Sequence, residues 1–75
     1  MNLPNLKRSI VLNGRKTSVS LENEFWAGLR EIAASQKTPL TTLLNQIDTG
    51  RGTNNMSSAI RVFVFGHLRA QLASA

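Results

Sequence analysis

Arg15-Lys16-Thr17-Ser18-Val19-Ser20-Leu21 is the stretch on which the fold turns. Successive side chains of a strand point to opposite faces, so Thr17, Val19 and Leu21 fall on one side and Lys16, Ser18 and Ser20 on the other. That period of two predicts a half-buried strand. Just before it, Asn13-Gly14 suits a type I′ turn, in which both central residues need positive φ. Further upstream, Lys7-Arg8-Ser9-Ile10-Val11-Leu12 is rich in branched apolar residues and can be extended. Residues 7–21 are therefore expected to form a strand or a β-hairpin. Residues 1–6, with Pro4 and two Asn, read as a flexible lead.

Helical periodicity takes over after Leu21. Glu22, Asn23 and Glu24 bring negative charge and a capping side chain to the positive end of a helix dipole. Phe25, Leu29, Ile32 and Ala33 then recur at i, i+4, i+7 and i+8, a single apolar stripe, and predict a helix over 22–36. Gly28 weakens that helix slightly and permits a close approach by a neighbour. Thr38-Pro39 is a start signal for a second helix over 39–49, with Leu40, Leu43, Leu44 and Ile47 as its apolar face. Gly50-Arg51-Gly52-Thr53-Asn54-Asn55 is a polar, glycine-bearing loop. The third helix is expected over 56–73, where Met56, Ile60, Phe63, Val64, His67 and Leu68 share a face. Val62 and Phe65 add a second apolar patch, so this helix should be buried or shared between chains. No internal repeat or low-complexity run stands out.

With 75 residues and 8.2 kDa, the chain has room for one domain. A domain of this size buries only roughly 60% of its unfolded surface. Disulfides cannot help, because there is no Cys, and thiolate metal sites are excluded for the same reason. One His beside four scattered carboxylates does not suggest a metal, and no cofactor is expected. Association with a second copy is the remaining source of stability. The run Val62 to Gly66 is far too short to span a membrane, and no apolar signal region follows the basic residues near the start. A cytoplasmic, nucleoid-associated protein is expected. The net charge of +5 is concentrated: residues 1–21 hold Lys7, Arg8, Arg15 and Lys16 and no acid. A charge placed like this suits a polyanion such as nucleic acid.

The order strand, helix, helix, loop, helix resembles the ribbon-helix-helix family of DNA-binding proteins. The resemblance rests on Lys16-Thr-Ser-Val-Ser-Leu21, the acidic helix start at Glu22 to Glu24, the spacing Phe25/Leu29/Ile32, Thr38-Pro39 and Leu43/Leu44. More narrowly, Glu22-Asn-Glu-Phe-Trp26, Leu29-Arg-Glu-Ile-Ala33 and Ser57-Ser-Ala-Ile-Arg-Val-Phe-Val64 resemble a bacterial subgroup with an additional C-terminal helix. The resemblance implies a mainly α fold with an N-terminal β-ribbon, in an intertwined homodimer. A strand without a partner in its own chain would pair with the same strand of a second copy, presenting Lys16, Ser18 and Ser20 twice. Ordinary members lack the Arg8–Leu12 segment, which would widen such a ribbon if paired.

Family roles carry over residue by residue. Lys16, Ser18 and Ser20 would read bases. Arg15, Thr38, Pro39, Leu40 and Thr41, together with Lys7 and Arg8, would hold phosphates, using the amides at the start of the second helix. Thr17, Val19, Leu21, Phe25, Leu29, Ile32, Leu43, Ile47, Ile60 and Phe63 would form the dimer core. Asn55-Met-Ser-Ser-Ala-Ile-Arg61 also resembles a family second-helix start, and would move the phosphate clamp to Asn55, Ser57 and Ser58. The earlier helix is preferred because its spacing from the strand needs no insertion. Trp26 reads as packing rather than as a base-stacking platform, His67 as an interface residue, Ser57-Ser58 as a cap, and Arg51 as a solvated charge. No paired carboxylates, phosphate loop or catalytic constellation is found, so an enzyme is not expected. The expected function is a sequence-specific regulator of transcription, most simply a repressor, that inserts its ribbon into the major groove of double-stranded DNA. Higher oligomers on DNA are left open. The alternative is a protein-interaction module, such as an antitoxin-like partner of another protein.

Overall fold

The computed structural model describes residues 5–73, in the order β1 (Asn5–Leu12), β2 (Arg15–Glu22), α1 (Asn23–Ser35), α2 (Leu40–Gly50) and α3 (Met56–Ala73). Of the lead expected over 1–6, residues 1–4 lie outside the described residues, while Asn5 and Leu6 belong to β1. The two strands form an antiparallel hairpin joined by Asn13 and Gly14, whose φ values are 51° and 80°. Both are positive, as a type I′ turn requires, and the twist of such a turn matches that of the strands it joins. Asn45 on α2 fixes the turn from below: its Oδ1 accepts the Asn13 backbone N–H at 3.1 Å.

The hairpin changes one expectation. β2 finds its partner inside its own chain along its full length, from Leu12↔Arg15 to Asn5↔Glu22. No second copy is needed to satisfy its backbone on that edge. The inward face of the ribbon carries Ile10, Leu12, Val19 and Leu21, all buried. Helices α1 and α3 lie against β2 and against each other, and α2 lies against β1. Leu29, Ile32, Ala33, Leu43, Leu44, Ile47, Ile60 and Val64 complete the core, with Phe25, Trp26 and Phe63 half-buried around it. Most of the residues expected in a dimer core are thus already buried within one chain. Thr17 is the departure: it lies on the inward register opposite Ile10, yet it is exposed. The helices do not cover that corner of the ribbon.

Two local devices fix how the helices meet. α1 ends with Lys37 at φ 53°, where the Lys37 N–H bonds the Ala34 carbonyl and the Thr38 N–H bonds that of Ala33. This is a Schellman ending, with a lysine where glycine is usual. α1 and α3 then approach closely at Gly28, where an added Cβ would lie 3.0 Å from Val64 Cγ1. What α3 leaves outside is apolar: Val62, Phe65, Leu68 and Leu72 are 70%, 59%, 50% and 77% exposed. Among the described residues, no helix is long and apolar enough to cross a membrane.

Candidate nucleic-acid interface

The outward face of the ribbon follows from the strand register. Lys7 stands opposite Ser20, Ser9 opposite Ser18, and Val11 opposite Lys16, and all six are exposed. Two lysines therefore sit at diagonal corners of a small, flat patch with hydroxyls between them. The nearest acid on the same register is Glu22, at the far end of β2. Its carboxylate accepts Arg61 Nε at 2.9 Å. That hydrogen bond from Arg61 is the main reason its pKa is held below the ordinary glutamate value. The acid on that register is thus matched by a cation.

Of the residues expected to meet DNA, Lys16, Ser18 and Ser20 are side by side on this face, and Lys7 joins them. Arg8 does not, because its even position in β1 turns it inward. Its guanidinium lies 4.8 Å from the centre of the Trp26 ring and donates to Asn23 Oδ1. A cation stacked and hydrogen-bonded in this way is committed to holding the ribbon on α1, which also explains the placement of Trp26.

Arg15 lies at the hairpin end, where it lines a hollow of about 230 Å³ with Leu12, Lys16, Thr17, Asp48 and Arg51. Arg51 donates from Nε to Asp48 Oδ1 at 2.6 Å and from a terminal nitrogen to the Asn54 carbonyl at 2.5 Å. Three cations around one carboxylate make this corner electropositive. In sequence Arg51 reads as a solvated loop charge; its place in one hollow with Arg15 depends on α2 ending beside the ribbon tip, a long-range relation that local sequence does not encode.

At the start of α2, Pro39 occupies the cap with φ −57° and ψ 142°, and the helix proper begins at Leu40. No side chain caps it. Thr38 instead donates its hydroxyl to the Gln36 carbonyl at 3.2 Å. The Pro39 carbonyl accepts the Leu43 N–H at 3.1 Å, while the first-turn amides of Leu40, Thr41 and Thr42 have no intrahelical acceptor. Helix α3 begins differently: Asn55 Oδ1 accepts the Ser58 N–H at 2.8 Å. The asparagine that would serve an alternative phosphate clamp is occupied by its own helix.

A second hollow, of about 430 Å³, lies between α1 and α3 over Phe25, Gly28, Ile32, Val64 and Leu68. Glu24 and Glu31 stand on its rim, which makes it unsuited to a polyanion. Lys7, Arg15, Lys16 and Arg51 gather on the ribbon and at its tip. Comparison with known families matches residues 5–68 to a ribbon-helix-helix domain. No curated protein and no solved structure matches the chain. The match runs from the first described strand well into α3, and on it the chain belongs to the ribbon-helix-helix family.

Proposed function

We propose that this protein is a sequence-specific, double-stranded DNA-binding regulator of transcription that represses by occupying operator sites. The observation that carries this reading is the exposed outer face of the ribbon, acid-free from Lys7 to Val11 and from Lys16 to Ser20, in a chain of a DNA-binding family. A major groove about 12 Å wide admits a two-stranded β-ribbon. Lys16 then donates to guanine N7 and O6, and Ser18 and Ser20 exchange hydrogen bonds with neighbouring base edges. Arg15 contacts the phosphates that flank the groove. The free amides at Leu40 and Thr41, with Thr38 and Pro39 shaping the turn before them, offer a second phosphate anchor at a helix N-terminus. Arg8 is left out of this set because Trp26 and Asn23 engage it.

Family members usually act as dimers. β1 covers one edge of β2, and the opposite edge of β2 carries no strand among the described residues. That edge can take a second copy, and Val62, Phe65 and Leu72 on α3 supply apolar area of the kind such contacts cover. The same surface favours one other reading, in which α3 holds a different protein and DNA binding is secondary. Selection of bound duplexes from a random pool, with the mass of the complex measured on the same sample, separates the two. Enrichment of a pseudo-palindromic motif by a dimer supports the regulator. A chain that ignores DNA at low salt but copurifies with a second polypeptide supports the interaction module.

A further inference from the structure

The two strands of the hairpin are near-copies of one another. Lys7-Arg8-Ser9-Ile10-Val11-Leu12 and Lys16-Thr17-Ser18-Val19-Ser20-Leu21 share Lys, Ser, a β-branched apolar residue and Leu at the same places, nine residues apart. The register sets Ser9 opposite Ser18. A local two-fold axis through that pair, perpendicular to the ribbon, carries each residue of β1 onto the one nine places later. Ile10 maps onto Val19 and Leu12 onto Leu21, and all four are buried against the helices. Lys7 maps onto Lys16 and Ser9 onto Ser18, and all four are exposed on the outer face. The symmetry breaks on that face at one position, where Val11 maps onto Ser20.

We propose that one chain reads DNA with both of its own strands, Lys7, Ser9 and Val11 acting beside Lys16, Ser18 and Ser20. This rests on the reading that the ribbon enters the major groove. A ribbon in this family would otherwise be assembled from two chains; here the repeat and the type I′ turn build both halves into one. A two-fold reading face recognises a two-fold sequence, so the bases under a single ribbon form a short near-palindrome. Lys7 and Lys16 read its two ends, each donating to guanine. The serines occupy the centre. Val11 has two methyl groups and no hydrogen-bonding atom in its side chain, so it favours contact with a thymine methyl, where Ser20 exchanges a hydrogen bond. The asymmetry of the recognised sequence is assigned to that one pair. A dimer would then carry two complete ribbons and cover two such near-palindromes.

The experiment is selection from a random duplex pool with the full-length chain and its variants Lys7→Ala, Ser9→Ala, Val11→Ser, Val11→Thr and Lys16→Ala, followed by titration on the enriched duplex. All four positions are exposed, and Val11→Thr keeps the β-branched shape of the strand. Lys7→Ala and Lys16→Ala are expected to weaken binding to the enriched duplex by similar factors, roughly 5- to 100-fold, and to relax base preference at symmetric positions. Val11→Ser is expected to move the enriched motif toward a perfect palindrome, and Val11→Thr to reduce the preference for thymine at the same place. If Lys16→Ala alters the motif while the three β1 positions leave it unchanged, β1 does not read bases; the inference falls and the ribbon reading stands. If the unaltered chain enriches no motif, both fall together.

Discussion

Arg61 on α3 reaches back 39 residues to Glu22, the last residue of β2, placing its Nε 2.9 Å from the carboxylate. The pair ties the end of the ribbon to the first half of α3. Neither side chain is deeply buried, so the link is sensitive to both salt and pH. The pKa of Glu22 is lower in the folded chain than in the unfolded one, chiefly because of the hydrogen bond from Arg61. Its stabilisation is therefore complete above the ordinary glutamate value, and it is lost as pH falls through the lowered folded value. Arg61→Gln should reduce the melting temperature at pH 7, and the gap from the unaltered protein should narrow in acid. Thermal unfolding of both proteins at pH 7 and pH 3 checks this. A gap that stays constant would show that the pair does not contribute through the charge of Glu22.

The contact of Gly28 with Val64 makes a second prediction. Alanine in a helix interior is favoured over glycine by about 1 kcal/mol, but a Cβ here would lie only 3.0 Å from Val64 Cγ1. Overpacking of a core costs about 1–3 kcal/mol, so Gly28→Ala should leave the protein less stable by up to about 2 kcal/mol. In a Val64→Ala background the same change should become stabilising by about 1 kcal/mol. Denaturant unfolding of the four proteins in this cycle measures the coupling.

Lys37 ends α1 in a left-handed conformation that costs a non-glycine residue free energy, and it is exposed. Lys37→Gly should stabilise the chain by about 0.5–1 kcal/mol, measured by the same denaturant unfolding. Asn55→Ala should cost about 1 kcal/mol, because it removes the acceptor for the Ser58 amide.

Much of this arrangement was legible in local pattern. Asn13-Gly14 announced the turn, the alternation of Val19 and Leu21 announced the buried side of β2, and Phe25, Leu29 and Ile32 announced the stripe of α1. Each depends on residues within one or two turns of chain. What stayed hidden depends on pairing at a distance. Asn5 and Leu6 carry no strand signal of their own and are extended because β2 is there to pair with them. Thr17 follows the alternation of its strand but is exposed, because the helices stop short of that corner. Arg8 reads as one more cation of a basic segment, and only the tertiary fold brings Trp26 beneath it. The likeness of the two strands was present in the letters throughout. It acquires meaning only from the register that sets Ser9 against Ser18.

On the proposed reading the outer face of the ribbon reads base sequence, and Lys16 donates to guanine from one end of it. The direct measurement is the affinity of the unaltered chain and of Lys16→Ala for the enriched duplex and for a scrambled duplex of equal length, at one salt concentration. Lysine reading guanine predicts a loss of about 1–3 kcal/mol on the enriched duplex and a much smaller loss on the scrambled one. An equal loss on both would reduce Lys16 to a phosphate contact, and no loss on either would remove the ribbon from the interface.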